Sequence, residues 1–165
     1  MFPRDMILVA DGTAGSVRAA EASVSIARGT GSRVHVACCV QTSVPTPYPR
    51  SGARYRTDSL VEQRKLNGLL ALDEMVERIS GEGVTVAGTH YREGARPHRE
   101  IVGLADALGV DLIVVGRREE SASERVIVAL FPSLGKLADR IYHHARCPVM
   151  VVRKQEVHDA ARVLE

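Results

Sequence analysis

The stretch that most narrows what this chain can fold into is DLIVVGRREESASERVIVALFPSLGKLADRIYHHARCPVMVVR, residues 111–153. An apolar run from Leu112 to Val115 stops at Gly116. A loop follows, then a helical segment opened by Gly135, then a second apolar run from Val149 to Val152 entered through Pro148. Strands that are apolar without alternation are buried on both faces, the condition of a parallel sheet covered by helices on both sides. A glycine closing such a strand and another opening the next helix leave backbone N–H groups for an anion at a helix N-terminus.

The same alternation runs through the rest of the chain. Met6 to Ala10 reads as a central strand ended by Asp11 and Gly12. Val17, Ala20, Val24 and Ala27 recur at helical spacing, with Thr13 or Ser16 to cap the start and Gly29 and Gly31 to close the end. A strand is expected at Val34 to Val40. Residues 41–58 hold Pro45, Pro47, Pro49 and Gly52, which predicts no regular element and a loop long enough to lie over a site. From about Ser59 to Ile79, the pattern Leu66, Leu69, Leu70, Met75, Val76 and Ile79 marks an amphipathic helix. A third strand is expected from Val84 to about His90, then a helix with Pro97 in its first turn, Ile101, Leu104, Ala105 and Leu108 inward, and Gly109 at its end. The fourth strand is Asp111 to Val115. The last helix spans about Ser133 to Ala145, with Leu137, Ala138 and Ile141 inward, and leads into strand five. Strand and helix alternate throughout, which defines an α/β fold with right-handed crossovers.

At 165 residues the chain is one domain, large enough for a core without disulfides or metals. Its net charge of +2 supplies no broad basic field, so no nucleic-acid partner is expected. No apolar run approaches the roughly 18 residues of a membrane span, and MFPRDMILVADG lacks a small-residue cleavage site, so a cytoplasmic protein is expected. The three cysteines agree, since the neighbours Cys38 and Cys39 in a strand point to opposite faces. His143, His144 and Cys147 do not read as metal ligands, because adjacent helical histidines diverge by about 100° and no fourth ligand follows. Cys147 reads as a small buried hydrophobe, and Ser121 and Ser123 as exposed loop residues. No catalytic or metal-binding residue is assigned.

In a doubly wound sheet, ligands bind outside the carboxyl ends of the strands where strand order reverses. Strands one and four are the expected neighbours there, and their ends carry Asp11-Gly12 and Gly116. ILVADGTAGSVRA, REGARPHREIVGLADALGVDLIVVG and HHARCPVMVV occur in that order. They resemble the first strand and turn, the third-to-fourth strand unit and the closing strand of the universal stress protein family, over roughly Met6 to Arg153. The resemblance implies a single doubly wound five-stranded parallel sheet, order 3-2-1-4-5, with helices on both faces. It implies a domain over residues 5–153 followed by a charged tail at 154–165, and a cytoplasmic, homodimeric stress-response regulator without a turnover reaction. Its ligand would be ATP or another adenine nucleotide, and the implied contacts are Ala10, Asp11, Gly12, Val36, Gly116, Gly135 and Lys136.

The family's ATP-binding branch carries a glycine, two residues, a second glycine, nine residues, then glycine with Ser or Thr. Here Gly116 is the first glycine, Glu119 stands in place of the second, and Gly135-Lys136 comes six residues later than that pattern. Glu119 and Glu120 repel phosphate, whereas Lys136 attracts it as a point charge, so weak ATP binding is expected. LGKL is not a Walker A loop, because the position five residues before Gly135 is Leu130. Two other functions fit the architecture: an α/β nucleotide-dependent hydrolase or transferase, for which only Asp11 is placed to hold Mg²⁺, and an electron-transfer-flavoprotein-like adenine-binding subunit that needs a protein partner. Strand five is expected at a sheet edge with nothing in PVMVV to blunt it, which predicts pairing with a second copy unless the tail folds over it.

Overall fold

The computed structural model describes residues 2–43, 53–118 and 137–154. In chain order these form β1 (Asp5–Val9), α1 (Ala14–Thr30), β2 (Arg33–Gln41), α2 (Ala53–Gly81), β3 (Val86–Gly94), α3 (Pro97–Leu108), β4 (Leu112–Gly116), α4 (Leu137–His144) and β5 (Val149–Val152). The strands make one sheet in the order β3-β2-β1-β4-β5, every neighbouring pair parallel. The chain steps outward from β1 through β2 to β3, then returns to place β4 on the other side of β1. Strand order therefore reverses between β1 and β4.

Alternation along each strand divides the core in two. On one face Leu8, Val36 and Val114 pack with Ala20 and Val24 of α1 and with Leu72, Met75 and Ile79 of α2. On the other, Ile7, Val9, Ile113 and Val115 pack with Ile101 and Leu104 of α3 and Ile141 of α4. Each fully buried isoleucine or methionine contributes about 1.5–3 kcal/mol. Cys38 joins the first cluster and Cys39 packs against the second, as opposite-facing neighbours must. All three cysteines are free.

Local signals set the ends of α1. Thr13 Oγ1 accepts the Ser16 N–H at 3.2 Å, and Gly31 at φ 74° sends its N–H to Ala27 O at 2.8 Å. At the far end of the sheet the Asp111 carboxylate accepts the Arg4 N–H at 2.8 Å, tying the first residues to the start of β4.

Three expectations change. Helix α2 begins at Ala53, inside the 41–58 stretch expected to be irregular; the prolines end at Pro49, and the following residues are free to enter the helix. Leu66, Leu69 and Leu70 are between 45 % and 59 % exposed and share the outer side of α2, whereas Gly68, Ala71, Leu72, Met75 and Ile79 face the sheet. Gly68 decides this orientation: a Cβ there would come within 2.5 Å of Val40 Cγ2 and 3.2 Å of Cys38 Sγ. The helix lies so close to β2 that only glycine fits, and the leucines are turned outward. Strand β3 runs from Val86 to Gly94, later than the expected 84–90, since Val84 is buried in the turn before it and Arg92 and Glu93 extend the ladder opposite Cys39 and Val40. Of the last helix the described part is Leu137–His144; residues 119–136 and the tail from 155 lie outside the described residues.

Candidate functional site

The sheet brings the carboxyl ends of β1 and β4 side by side, with Val9 opposite Val115. Beyond β1 the chain turns through Asp11 and Gly12, both exposed, before α1 starts. Gly12 takes φ 74°, and its missing side chain leaves 3.3 Å from an ideal Cβ to Ala71 Cβ of α2, so glycine suits the position both conformationally and sterically. Asp11 Oδ1 accepts the Thr13 N–H at 3.0 Å and the Thr13 hydroxyl at 2.6 Å. This bracing holds the carboxylate at the mouth of the corner and leaves Oδ2 without a bond among the described residues.

The other assigned contacts do not converge on that mouth. Ala10 is buried, and its N–H goes to Ala37 O at 2.8 Å. Val36 is fully buried opposite Leu8 in the core under α1 and α2, so its side chain is a packing residue and has no surface to offer a ligand. Gly116 is buried as well: an ideal Cβ on it would fall within 2.0 Å of Gly15 O and 2.6 Å of Ser16 N. A Cβ on Gly15 would in turn come within 2.4 Å of Arg117 O. The glycine at the end of β4 thus serves a backbone-to-backbone approach of α1, a packing role that the sequence reading did not give it. Gly15, in the motif GTAGS, was the missed partner; its signal is a second glycine just inside a helix, where alanine would ordinarily serve better. Gly135 and Lys136, with Glu119, Glu120, Ser121 and Ser123, lie outside the described residues.

The three cysteines are not poised as nucleophiles. Burial pushes the Cys38 thiol up to about 11, with the Asp11 carboxylate adding to the effect, and burial pushes Cys39 up to about 12. Cys147 is raised by burial too. Thiols held so high are protonated at neutral pH and inert. Among the described residues no group of three or more His, Cys, Asp or Glu is arranged to hold a metal ion, and no described helix is long and apolar enough to cross a membrane.

A second cluster, outside the sequence-assigned contacts, lies where α3 begins beside α4. Arg96, His98, Arg99, Arg140 and His144 line one cleft. The rings of His98 and His144 meet at a tilt of 49° with centroids 5.1 Å apart, and His144 Nδ1 pairs with Arg140 O at 2.8 Å. Arg140 and His144 are one helical turn apart on α4, and only packing brings them to the start of α3.

A parallel sheet ordered 3-2-1-4-5, with helices on both faces and an exposed acidic turn where strand order reverses, defines a doubly wound ligand-binding domain. Comparison with known proteins gives the family. The model of the universal stress protein family matches residues 3–153, and the chain belongs to that family. It is 29 % identical over 151 residues to universal stress protein MJ0531 of Methanocaldococcus jannaschii, covering 92 % of this chain and 82 % of that one. It is 28 % identical over 152 residues to YxiE of Bacillus subtilis, covering 90 % and 97 %. Among solved structures, UspA of Lactobacillus plantarum superposes with a TM-score of 0.68 at 19 % identity over 90 % of this chain and 97 % of that one. A universal stress protein of Arabidopsis thaliana with AMP bound superposes with a TM-score of 0.62 at 17 % identity, covering 93 % of each.

Proposed function

We propose that this chain is a cytoplasmic, homodimeric regulator of the stress response that senses an adenine nucleotide and carries out no turnover reaction. The observation that carries the nucleotide reading is the open Asp11 Oδ2 at the mouth of the β1/β4 corner, beside a turn that glycine keeps free of side chains. A braced carboxylate accepts hydrogen bonds, so it suits a ribose hydroxyl or the adenine amino group. The AMP-bound Arabidopsis relative supports the ligand class. Gly135 and Lys136 are the proposed phosphate contacts, and the acidic Glu119 and Glu120 before them keep ATP affinity low.

Calorimetric titration with AMP and with Mg·ATP tests this reading. Saturable AMP binding that falls by about tenfold in Asp11→Ala, as loss of one bond to a charged acceptor predicts, supports it. Sub-micromolar Mg·ATP affinity overturns the assigned role of the acidic segment. Absence of binding by either nucleotide overturns the sensor.

The homodimer is proposed to form through β5. Ile113 N–H reaches Pro148 O at 3.0 Å and Arg117 N–H reaches Val152 O at 2.7 Å. Alternate residues of a parallel strand turn their backbone groups to opposite sides, so Val149 and Val151 present theirs away from β4. A second copy of β5 about a two-fold axis satisfies both edges at once.

A further inference from the structure

We propose that the cleft between the start of α3 and α4 is an anion site of its own, built for the phosphoryl group of a small phosphorylated molecule or for free phosphate. Its lining residues are Arg96, His98, Arg99, Arg140 and His144, three guanidiniums and two imidazoles with no carboxylate among them, around a cavity of about 320 Å³. None of them belongs to the β1/β4 corner. The nearest acid in the first turn of α3, Glu100, lies over Gly94: an ideal Cβ there would come 2.8 Å from Glu100 Cγ. Asp106, at the other end of α3, faces Arg146 at 3.8 Å.

The start of α3 adds its own field to the cleft. This 12-residue helix has Arg96 at its N-cap with no side-chain cap bond and Pro97 at its first position. Arg99 and Glu100 turn their N–H groups back to Arg96 O, whereas the His98 N–H has no acceptor among the described residues. Most helices place Ser, Thr, Asp or Asn there to satisfy such donors; an arginine supplies no side-chain acceptor, and Glu100 is the acid of the first turn.

His98 is the least exposed group of the lining. It is 5 % exposed, and its ring lies 5.1 Å, centroid to centroid, from that of His144. Burial, then the charge of Arg140 and the neighbouring His144, holds its pKa below the ordinary value. Three guanidiniums and two imidazoles gathered around one cleft crowd positive charge, and an anion seated among them would relieve that crowding and accept their N–H groups. Phosphate fits better than carboxylate, because the planar forks of three arginines match a dianion with three terminal oxygens, and one carboxylate would leave a fork unused. The volume lies at the lower end of the range for small-molecule pockets, room for a phosphoryl group and a small body.

The test is a titration of the isotope-labelled full chain with inorganic phosphate in one arm and AMP or a sugar phosphate in another, reading the imidazole signals of His98 and His144. The expected result is saturable shifts at both rings and a rise of the His98 pKa on phosphate addition. Arg99→Gln, at an exposed position, and Arg140→Gln, at a half-buried one, should each weaken phosphate by about tenfold, as one charge-assisted contact predicts, and Asp11→Ala should leave it unchanged. Stronger saturation by the phosphomonoester than by phosphate assigns the site to a phosphorylated molecule; the reverse order assigns it to free phosphate. Shifts that rise linearly without saturating, shifts that persist in the Arg99→Gln, Arg140→Gln double variant, or a response to duplex DNA alone would each overturn the proposal.

Discussion

The two edges of the sheet are finished in opposite ways. Strand β3 is nine residues long, its ladder with β2 shifts register between Val34 and His35, and its exposed positions are Ala87, Thr89, Arg92 and Glu93. Lys65 of α2 reaches Glu93 at 3.3 Å, Tyr91 donates to Glu93 at 3.1 Å, and His35 Nδ1 meets His90 Nε2 at 3.1 Å beside Gly88. Strand β5 is four residues long and wholly apolar, with Met150 40 % exposed. Irregular register and charge are how an edge protects itself from further pairing. Among the described residues one edge thus closes itself with its own side chains, and the other carries none of these devices, which is the contrast on which the proposed β5 dimer rests.

The sharpest way to break this contrast is Val151→Pro. It removes an outward N–H without touching the bonds to β4, and the two-fold repeats the loss in both copies, at about 1 kcal/mol per bond before any clash of the rings. Size exclusion with light scattering should find one chain in the variant and two in the parent; a parent that already runs as one chain refutes the β5 dimer. Met150→Glu is expected to do less, placing like charges near the axis and weakening the dimer about tenfold, with the weakening relieved by salt.

At the β3 edge the effects fall on the fold and not on assembly. Gly88→Ala sets a Cβ about 2.9 Å from His90 Nε2 and 3.1 Å from His35 Nδ1, forcing the ring pair apart. Roughly 1 kcal/mol of stability should be lost in denaturant unfolding with the dimer mass unchanged. The pH response follows from the same pair. His35 and His90 are both held below the ordinary histidine range, chiefly by burial, so the folded state favours the neutral rings. Below about pH 6.5 the unfolded chain binds more protons than the folded one, and the melting temperature should fall as pH drops from 7 toward 5. His90→Gln should flatten that slope, and an unchanged slope would remove the pair from the account. The smallest effect is Lys65→Met, which breaks two solvent-accessible pairs, to Glu62 and Glu93, and should cost about 1 kcal/mol or less.

The position of the β1/β4 corner was legible in the sequence, and the surroundings of its other assigned residues were not. Asp11 and Gly12 could be placed there because a turn after a central strand sits where a doubly wound fold binds ligands. Val36 and Gly116 sit where the family pattern places contacts, but packing uses both: Val36 lies beneath two helices and Gly116 beneath the backbone of Gly15. A Gly116→Val variant would therefore report a broken α1/β4 junction, with destabilisation of about 3 kcal/mol or more in unfolding experiments, and would say little about phosphate. The outward leucines of α2 follow the same lesson, since helical spacing identifies a stripe, and Gly68 decides which stripe meets the sheet.

What the sequence determined by itself is the local and the periodic: unbroken apolar runs that can only be buried parallel strands, Thr13 and Gly31 at the ends of α1, Gly109 ending α3, and the limits of β5. These depend on neighbours within a few residues, and their physics is contained in the chain's own spacing. The tertiary structure alone decided which glycines open a surface and which admit a backbone, which face of α2 turns inward, and that Arg96, His98 and Arg99 meet Arg140 and His144 from another helix. Those outcomes depend on groups some forty residues or more apart in the chain, or on a sub-ångström margin between two packed elements, and neither is written in any single segment.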